Sequence, residues 1–335
     1  MAIQRIVLLL LVVPLTLGVG PDTNGWSQSQ SLTAFYTAPV ISMAPMWIAK
    51  DAGFFNKQGL NVRLVFIASG PVGTTSLLAG ETDLGVIGGF APIRAIASGA
   101  KGLVIIGQSK HGMVGAIVGR KEISAVQDLK GKRLGIDRIG SNPDMYSVAA
   151  LARFKMDPMS DLQYVQMGTT AQGIAGLKAG AVDAFTTTPP YDLIAQRLGY
   201  KVILDITALN IPFAATVLIS ARETLARKPG EIAKFMRAYA EAIHFFQNNP
   251  EGSAKIIARY TKVEDREIIG HAMAAEGKAM EKTLQVDPKG IDLILGLIAK
   301  TVPQAASAKA EDFYDERFVS DLRDSGFVKR LWGEK

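Results

Sequence analysis

Short apolar runs alternate with segments of helical spacing along the first third of the chain. The apolar runs are typical of strands, and they cover residues 31–36, 61–67, 83–87 and 103–108. The segments around them favour helices, and they cover residues 45–58, 71–79 and 92–98. This alternation predicts a largely parallel sheet with helices on both faces.

A second series of strands and helices follows. Strands are predicted at residues 113–119, 133–137, 162–166, 182–186 and 201–205, and helices at 143–154, 174–179 and 189–198. An apolar run at 212–220 favours a returning strand, and most of the chain from 229 to 332 has helical spacing. We therefore predict an α/β protein of two lobes. Lobe 1 comprises residues 28–117 and 213–335, lobe 2 is the inserted segment 118–212, and the crossings near Gly119 and Phe213 form a hinge.

One sequence motif occurs twice, as Leu77-x-Ala79-Gly80-x-x-Asp83 and as Leu177-x-Ala179-Gly180-x-x-Asp183. Each copy is typical of a helix that ends at a left-handed glycine and is followed by a short strand. Two similar units of this kind indicate two matched lobes that face each other across a cleft. Both aspartates come at the start of a strand, at the edge away from the cleft, so we expect structural roles for them and no catalytic pair.

The N-terminus has the order of a secretory signal peptide. A short basic start precedes an apolar run at residues 6–20, and a small, polar segment follows at 21–30. We predict a signal peptide at 1–27 with cleavage before Gln28, and hence a periplasmic protein. The run is short for a membrane anchor and is broken by Pro14. The chain has no cysteine, which excludes a lipoprotein, disulfides and thiolate catalysis.

Composition narrows the classes of partner. The chain is 48% hydrophobic and 20% charged, with a net charge of +6. Its basic residues occur in small scattered groups, so nucleic acid is not an expected partner. His111, His244 and His271 are far apart and none has zinc-motif spacing, so we expect no metal and no cofactor.

Several short sequence motifs occur along the chain in the same order as in a known protein family. They are Ala52-Gly53-Phe54-Phe55 with Gly59-Leu60-Asn61-Val62, Leu78-Ala79-Gly80-Glu81-Thr82-Asp83, Asp128-Leu129-Lys130-Gly131-Lys132-Arg133-Leu134-Gly135, and the stretch from Leu177 to Ala184. In this order the chain resembles the periplasmic solute-binding proteins of ABC importers, in the group that binds sulfonates, taurine, nitrate and thiamine precursors. The resemblance implies the two-lobed type II fold, a small-molecule ligand in the cleft, no catalysis, a membrane permease as partner and a monomer. The implied function is capture of a small, anionic organic ligand and its delivery to an ABC importer.

The expected ligand contacts lie in loops beyond the carboxyl ends of the strands, where open α/β sheets bind ligands. Such loops precede helices whose first N–H groups are unpaired, and several of them converging on one cleft form an anion site. The candidates are Thr37, Ala38, Pro39, Val40, Ser42, Ser69, Gly70, Gly89, Phe90, Ser141, Asn142, Thr187, Thr188 and Tyr191. The serines, threonines and asparagine among them also suit a purely structural role as helix caps.

The sequence leaves the charge of the ligand and the class of protein open. Arg94 and Arg138 lie near the cleft loops and offer guanidinium groups to a carboxylate. Asp144 would repel an anion, which leaves room for a ligand with an amine near it. A periplasmic sensor subunit would use the same cleft. An enzyme of this fold is the third class, but the thiamine-pyrimidine synthases carry a cysteine-rich motif and the menaquinone enzymes are cytoplasmic.

Overall fold

The structure, a computed structural model, describes residues 30–333. The predicted signal peptide lies outside these residues. Within these residues, ten strands form two sheets of five strands each. The strands are β1 (Gln30–Tyr36), β2 (Leu60–Phe66), β3 (Leu84–Ile87), β4 (Leu103–His111), β5 (Ala116–Gly119), β6 (Arg133–Ile136), β7 (Gln163–Gln166), β8 (Ala184–Thr187), β9 (Lys201–Asp205) and β10 (Ala214–Ala221).

Sheet 1 has the order β2-β1-β3-β10-β4. β1 pairs in parallel with β2, with Gln30 opposite Leu60, and also in parallel with β3. β10 runs antiparallel to both β3 and β4. Four of the five strands therefore run in the same direction, as predicted for a largely parallel sheet, and β10, which returns from the other sheet, runs opposite to them.

Sheet 2 has the order β7-β6-β8-β5-β9 and repeats this plan. β6 pairs in parallel with β7 and β8, and β5 runs antiparallel to β8 and β9. The chain passes from sheet 1 to sheet 2 between His111 and Ala116, and returns between Asp205 and Ala214. The boundary predicted at residue 118 falls inside β5, so residues 116 and 117 belong to sheet 2. The wider division into lobes 1 and 2 stays a prediction.

Fifteen α-helices cover the sheets within the described residues. They are α1 (Ala44–Asp51), α2 (Phe54–Lys57), α3 (Gly70–Leu78), α4 (Phe90–Ala97), α5 (Asn142–Ala152), α6 (Pro158–Asp161), α7 (Thr170–Ala179), α8 (Tyr191–Arg197), α9 (Arg222–Arg227), α10 (Pro229–Asn248), α11 (Pro250–Thr261), α12 (Arg266–Ala279), α13 (Pro288–Ile298), α14 (Arg317–Asp324) and α15 (Phe327–Trp332). The helix predicted at 45–58 is two helices, because Gly53 between them has a φ of 81°. None of the helices in residues 30–333 has the length and apolar character that a membrane span requires.

The repeated sequence motif has the same structure in both copies. Gly80 and Gly180 have φ values of 71° and 75°, as the helix-end interpretation predicts. Asp83 Oδ2 accepts the backbone N–H of Thr33 at 2.8 Å, and Asp183 Oδ2 accepts that of Arg133 at 3.0 Å. Each carboxylate thus joins the start of one strand to its neighbour, which is a structural role.

Two phenylalanines set how closely helices approach the sheets. The Phe35 ring occupies the space beside Gly73 and Gly85, where an added Cβ would lie within 2.4 Å of the ring. Phe185 occupies the equivalent space beside Gly173, with a closest distance of 2.0 Å. Both rings are fully buried. This close packing places the N-termini of α3 and α7 at the carboxyl edges of their sheets, where the candidate site lies.

Candidate ligand-binding cleft

A cavity of about 260 Å³ lies between the carboxyl edges of the two sheets. From sheet 1 it is bordered by loop residues within 37–43, 66–71 and 87–91 and by Lys110. From sheet 2 it is bordered by residues within 137–146 and 168–171, together with Thr188 and Tyr191. The loops that open α3, α5 and α7 therefore meet at one enclosed space.

Most of the predicted residues border this cavity. They are Thr37, Ala38, Pro39, Val40, Ser42, Ser69, Gly70, Ser141, Asn142, Thr188 and Tyr191. Three predicted residues, Gly89, Phe90 and Thr187, do not border it, and their contact with the ligand stays a prediction. Gly89 is pressed against β10, where an added Cβ would lie 2.2 Å from the Ala214 carbonyl oxygen. Phe90 begins α4 and points into the hydrophobic core, and Thr187 is fully buried in β8.

The helix N-termini combine capped and open N–H groups. Ser69 and Ser141 accept hydrogen bonds from Val72 and Asp144, at 3.5 and 3.4 Å, so capping is one role of each hydroxyl. Thr169 caps α7 in the same way. Within the described residues, the N–H groups of Gly70, Asn142, Thr170 and Ala171 have no acceptor. Four open donors from three helices therefore face one cavity, which is the arrangement that stabilises an anion.

A buried cation that is not among the residues predicted from the sequence also borders this cavity. Lys110 lies on β4 and is 3% exposed, and its Nζ is 3.1 Å from Oε1 and 3.0 Å from Oε2 of Glu276 on α12. Burial opposes the charge on Lys110 and is the largest single effect, but the adjacent Glu276 carboxylate and the nearby Tyr146 together outweigh it and raise the pKa of Lys110. An ammonium with three N–H donors therefore borders the cavity.

Two polar groups beside Lys110 lack partners. Tyr146 is fully buried, and burial raises the pKa of its hydroxyl, which stays protonated. Among the described residues, neither the Tyr146 Oη nor the Asn142 Oδ1 atom has a partner in good hydrogen-bond geometry, although the Val114 N–H and the Asn142 side chain lie near enough to the Tyr146 hydroxyl to oppose part of the rise in its pKa. Asn142 Nδ2 donates to the Ala215 carbonyl at 2.6 Å and so joins the start of α5 to β10. We call Lys110, Asn142 and Tyr146 the inner polar group. Buried polar atoms without partners are uncommon in proteins and indicate that something else supplies the partner.

An acidic side chain also faces the cavity, but it is not Asp144, the acid that the sequence placed near the ligand. Asp144 is buried away from the cavity, where its carboxylate accepts hydrogen bonds from the Gly140 N–H and the Tyr164 hydroxyl at 2.7 and 2.8 Å. The acid that borders the cavity is Asp137, which accepts from Thr170 Oγ1 at 2.9 and 3.1 Å. Burial raises the pKa of Asp137 to about 7.

The two predicted arginines differ in position. Arg138 borders the cavity, with Nε donating to the Gly168 carbonyl at 3.2 Å, whereas Arg94 is exposed and outside it. Two large apolar side chains border the cavity from opposite sheets: Phe66 is 47% exposed and Ile139 is 53% exposed. An apolar part of a ligand would cover these surfaces, and closure of the cleft would cover them further.

The chain matches the family model described as NMT1/THI5 like over residues 41–253, which is more than half of its length. The chain therefore belongs to the NMT1/THI5-like family.

Relatives and solved structures agree with this membership. A Bacillus subtilis protein provisionally named for binding aliphatic sulfonates is 24% identical over 340 residues, covering 98% of this chain and 97% of that protein. The periplasmic aliphatic sulphonate binding protein SsuA of Escherichia coli matches with a TM-score of 0.71 at 22% identity, covering 86% of this chain and 92% of SsuA. The periplasmic nitrate-binding protein NrtA of Synechocystis PCC 6803 matches with a TM-score of 0.72 at 16% identity, covering 90% of this chain and 89% of NrtA. The predicted resemblance to periplasmic binding proteins of ABC importers is confirmed, as is the predicted fold.

Proposed function

We propose that this protein is an extracytoplasmic solute-binding protein that captures one small, anionic organic ligand in the cleft and delivers it to an ABC importer. The observation that carries the proposal is the convergence of four open helix N–H groups and the Lys110 ammonium on one cavity between the two sheets. Anions are stabilised by such donors when water is excluded.

The names of the relatives point to the same ligand class. Sulfonates and nitrate are anions that accept several hydrogen bonds, and the B. subtilis relative, SsuA and NrtA are named for them. The apolar surfaces of Phe66 and Ile139 favour a ligand with an organic body over a bare inorganic ion. A short organic sulfonate or carboxylate fits both features of the cavity.

Binding without catalysis fits the side chains at the cleft. No histidine or cysteine is among the described residues that border the cavity. The bordering hydroxyls of Ser69 and Ser141 are occupied as helix caps, and the bordering lysine is paired with Glu276. Among the described bordering residues, the Thr170 hydroxyl donates to the Asp137 carboxylate, and no lysine or histidine acts as a base toward a bordering hydroxyl.

Capture involves closing the two halves over the ligand. The open donors of α3 lie on one side of the cavity, and those of α5 and α7 lie on the other. A ligand that accepts from both sides favours the closed arrangement, and the two chain crossings act as the hinge. The closed form is then the form that docks on the permease. The signal peptide proposed for residues 1–27 places the monomeric protein in the periplasm.

A thermal-shift screen of the mature protein tests this function. The panel contains short sulfonates, aromatic carboxylates, thiamine precursors and inorganic anions, each at saturating concentration. A specific ligand at about 100 Kd should raise the free energy of unfolding by roughly 2.7 kcal/mol. The proposal predicts a shift with one class of organic anion, and it is contradicted if only cations or neutral compounds shift the melting temperature.

A further inference from the structure

Helix α12 lies between the two halves of the protein. On one side it packs against α11 and against the helical turn Ile41–Met43, which follows β1 of sheet 1. On the other side it packs against α8, which lies on β5 and β9 of sheet 2. The halves are in contact in the structure, because Asn142 at the start of α5 donates to the Ala215 carbonyl of β10. We call this the closed arrangement.

The contact between α8 and α12 lies beside the cavity. The first residue of α8, Tyr191, borders the cavity, and Glu276 on α12 is the partner of Lys110, which also borders it. Opening of the cleft therefore separates α8 from α12. Any interaction across this contact contributes to the equilibrium between the open and the closed arrangement.

Ion pairs hold the end of this contact that is farther from the cavity. Arg197, the last residue of α8, pairs with Asp265, which precedes α12, and with Glu267 in the first turn of α12, the second pair at 2.6 Å. Asp265 also caps α12 by accepting the N–H groups of Glu267 and Ile268 at 2.9 and 3.1 Å. The Arg197 and Asp265 side chains are 39% and 40% exposed, and ion pairs in contact with water are weak. These pairs therefore favour the closed arrangement by a small amount and break readily.

A buried acid without a full set of partners lies at the other end of the contact. Asp192 is in the first turn of α8, and its Oδ1 atom is buried with no hydrogen-bond partner among the described residues. Burial raises the pKa of Asp192, and the Leu193 N–H, His271 on α12 and its own N–H offset only part of this rise. Two further acids, Glu276 on α12 and Asp205 on β9, repel its negative charge. A carboxylate buried in this way costs free energy, and opening of the cleft hydrates it.

We infer that Arg197 and Asp192 are positioning residues with opposite effects on closure of the cleft. Arg197 favours the closed arrangement through Asp265 and Glu267, and Asp192 favours the open one. Neither Arg197 nor Asp192 borders the cavity, so both act on ligand binding through the relative position of the two halves. Their opposition keeps the free protein close to balance, and the contacts of the ligand then decide closure. This regulation of the site rests on the proposed function.

Distances between two spin labels test this balance without a ligand. The chain has no cysteine, so Leu78→Cys at the end of α3 and Met159→Cys on α6 give one label in each half. These positions are 50% and 66% exposed and lie outside the cavity. Pulsed electron paramagnetic resonance of the labelled mature protein measures the populations of short and long distances. We expect Arg197→Gln to raise the ratio of open to closed protein about threefold, and Asp192→Asn to lower it by a similar factor.

Each variant has a matched control. Arg227→Gln is the control for Arg197→Gln, because Arg227 is exposed and pairs with Glu223 within α9. Asp312→Asn, at an exposed acid outside the cavity, is the control for Asp192→Asn. Neither control should change the distances between the labels.

Two milder variants at exposed positions serve if Arg197→Gln or Asp192→Asn fails to fold. Glu267→Gln removes one of the ion pairs of Arg197, and we expect it to raise the open fraction. Asp205→Asn removes one of the acids that repel Asp192, and we expect it to lower the open fraction.

Opposite shifts of the open fraction in the arginine variant and the aspartate variant support the inference. Shifts in the same direction, or no shift in one of the two folded variants, overturn it. These distances are measured without ligand, so the proposed function stands or fails separately, by the thermal-shift screen.

Discussion

Lys110 Nζ lies 3.1 Å from Glu276 Oε1, and both side chains are almost completely buried at the cavity. The pair joins β4 of sheet 1 to α12. The same helix is joined to sheet 2, because Arg197 on α8 forms ion pairs with Asp265 and with Glu267 at its N-terminal end. The residue that offers a positive charge to the ligand is thus held by a helix that contacts both halves of the protein.

Lys110→Met should separate the structural from the binding role of this pair. Removing one partner leaves Glu276 buried without a counter-charge, and we expect the free energy of unfolding to fall by about 3–5 kcal/mol. The affinity for the anion should fall about tenfold or more, because a charge-assisted contact is lost. Chemical denaturation and calorimetric titration measure the two effects.

The double variant Lys110→Met with Glu276→Leu provides the control. Replacing both charges with apolar groups should recover most of the lost stability, but the anion affinity should stay low. Lys255→Met, at an exposed pair with Glu251, should change neither quantity appreciably. Full anion affinity in Lys110→Met would show that the lysine is structural only.

Thr188→Ala and Thr187→Ala form a second matched test. Thr188 borders the cavity and its neighbour Thr187 does not. We expect Thr188→Ala to weaken ligand binding by about 0.5–1.5 kcal/mol, and by more if the ligand is charged, with a small change in melting temperature. Thr187→Ala should lower the melting temperature and leave affinity unchanged. If both variants only lower the melting temperature, the loop is structural.

Asp137 should make stability depend on pH. Its pKa is about 7 in the folded protein against an ordinary 3.8, so the folded state keeps a proton that the unfolded chain loses. The stability from this group is full below about pH 4 and is lost as the pH rises through about 7. Between these values, the melting temperature of Asp137→Asn should rise relative to wild type. A difference that stays constant with pH would show that burial does not raise the pKa of Asp137.

Export is tested by N-terminal sequencing of the protein from a periplasmic fraction. The basic start, apolar run and polar segment of residues 1–30 predict a new N-terminus between Gly20 and Ser31. Deletion of residues 2–20 should leave the protein in the cytoplasm. Recovery of only the full-length chain, and only from the cytoplasm, would contradict export.

Local patterns of apolar and polar residues were enough to predict most strands and helices, and the edge of the sheets at which the candidate site lies. The strand at 201–205 has its predicted bounds, and the glycines at 80 and 180 have the expected left-handed backbone. These features depend on neighbours in sequence. Whether a given side chain reaches the cavity depends instead on the exact residue at which a strand or helix begins or ends. Asp137 directly follows β6 and reaches the cavity, whereas Asp144 lies two residues into α5 and is turned inward.

The features that the sequence did not predict have long-range causes. Lys110 follows the apolar run at 103–108, between the polar residues Ser109 and His111, and so resembles a surface lysine past the end of a strand. Its partner Glu276 is 166 residues away in the chain. The sequence pattern places Phe90 in a loop, but α4 begins at this residue and its ring packs in the core. Contacts between distant segments decide such cases, and no local pattern records them.

The most direct test of ligand binding in the cleft is a titration of wild type and of a variant with a filled cavity. Ala68 borders the cavity, and Ala68→Trp should fill part of it; Ala306→Trp, at an exposed position outside the cavity and outside both chain crossings, is the matched control. We expect wild type and Ala306→Trp to bind one organic anion per chain, with a smaller radius of gyration when saturated, and we expect Ala68→Trp to bind at least about tenfold more weakly. Unchanged affinity in a folded Ala68→Trp variant would contradict ligand binding in the cleft.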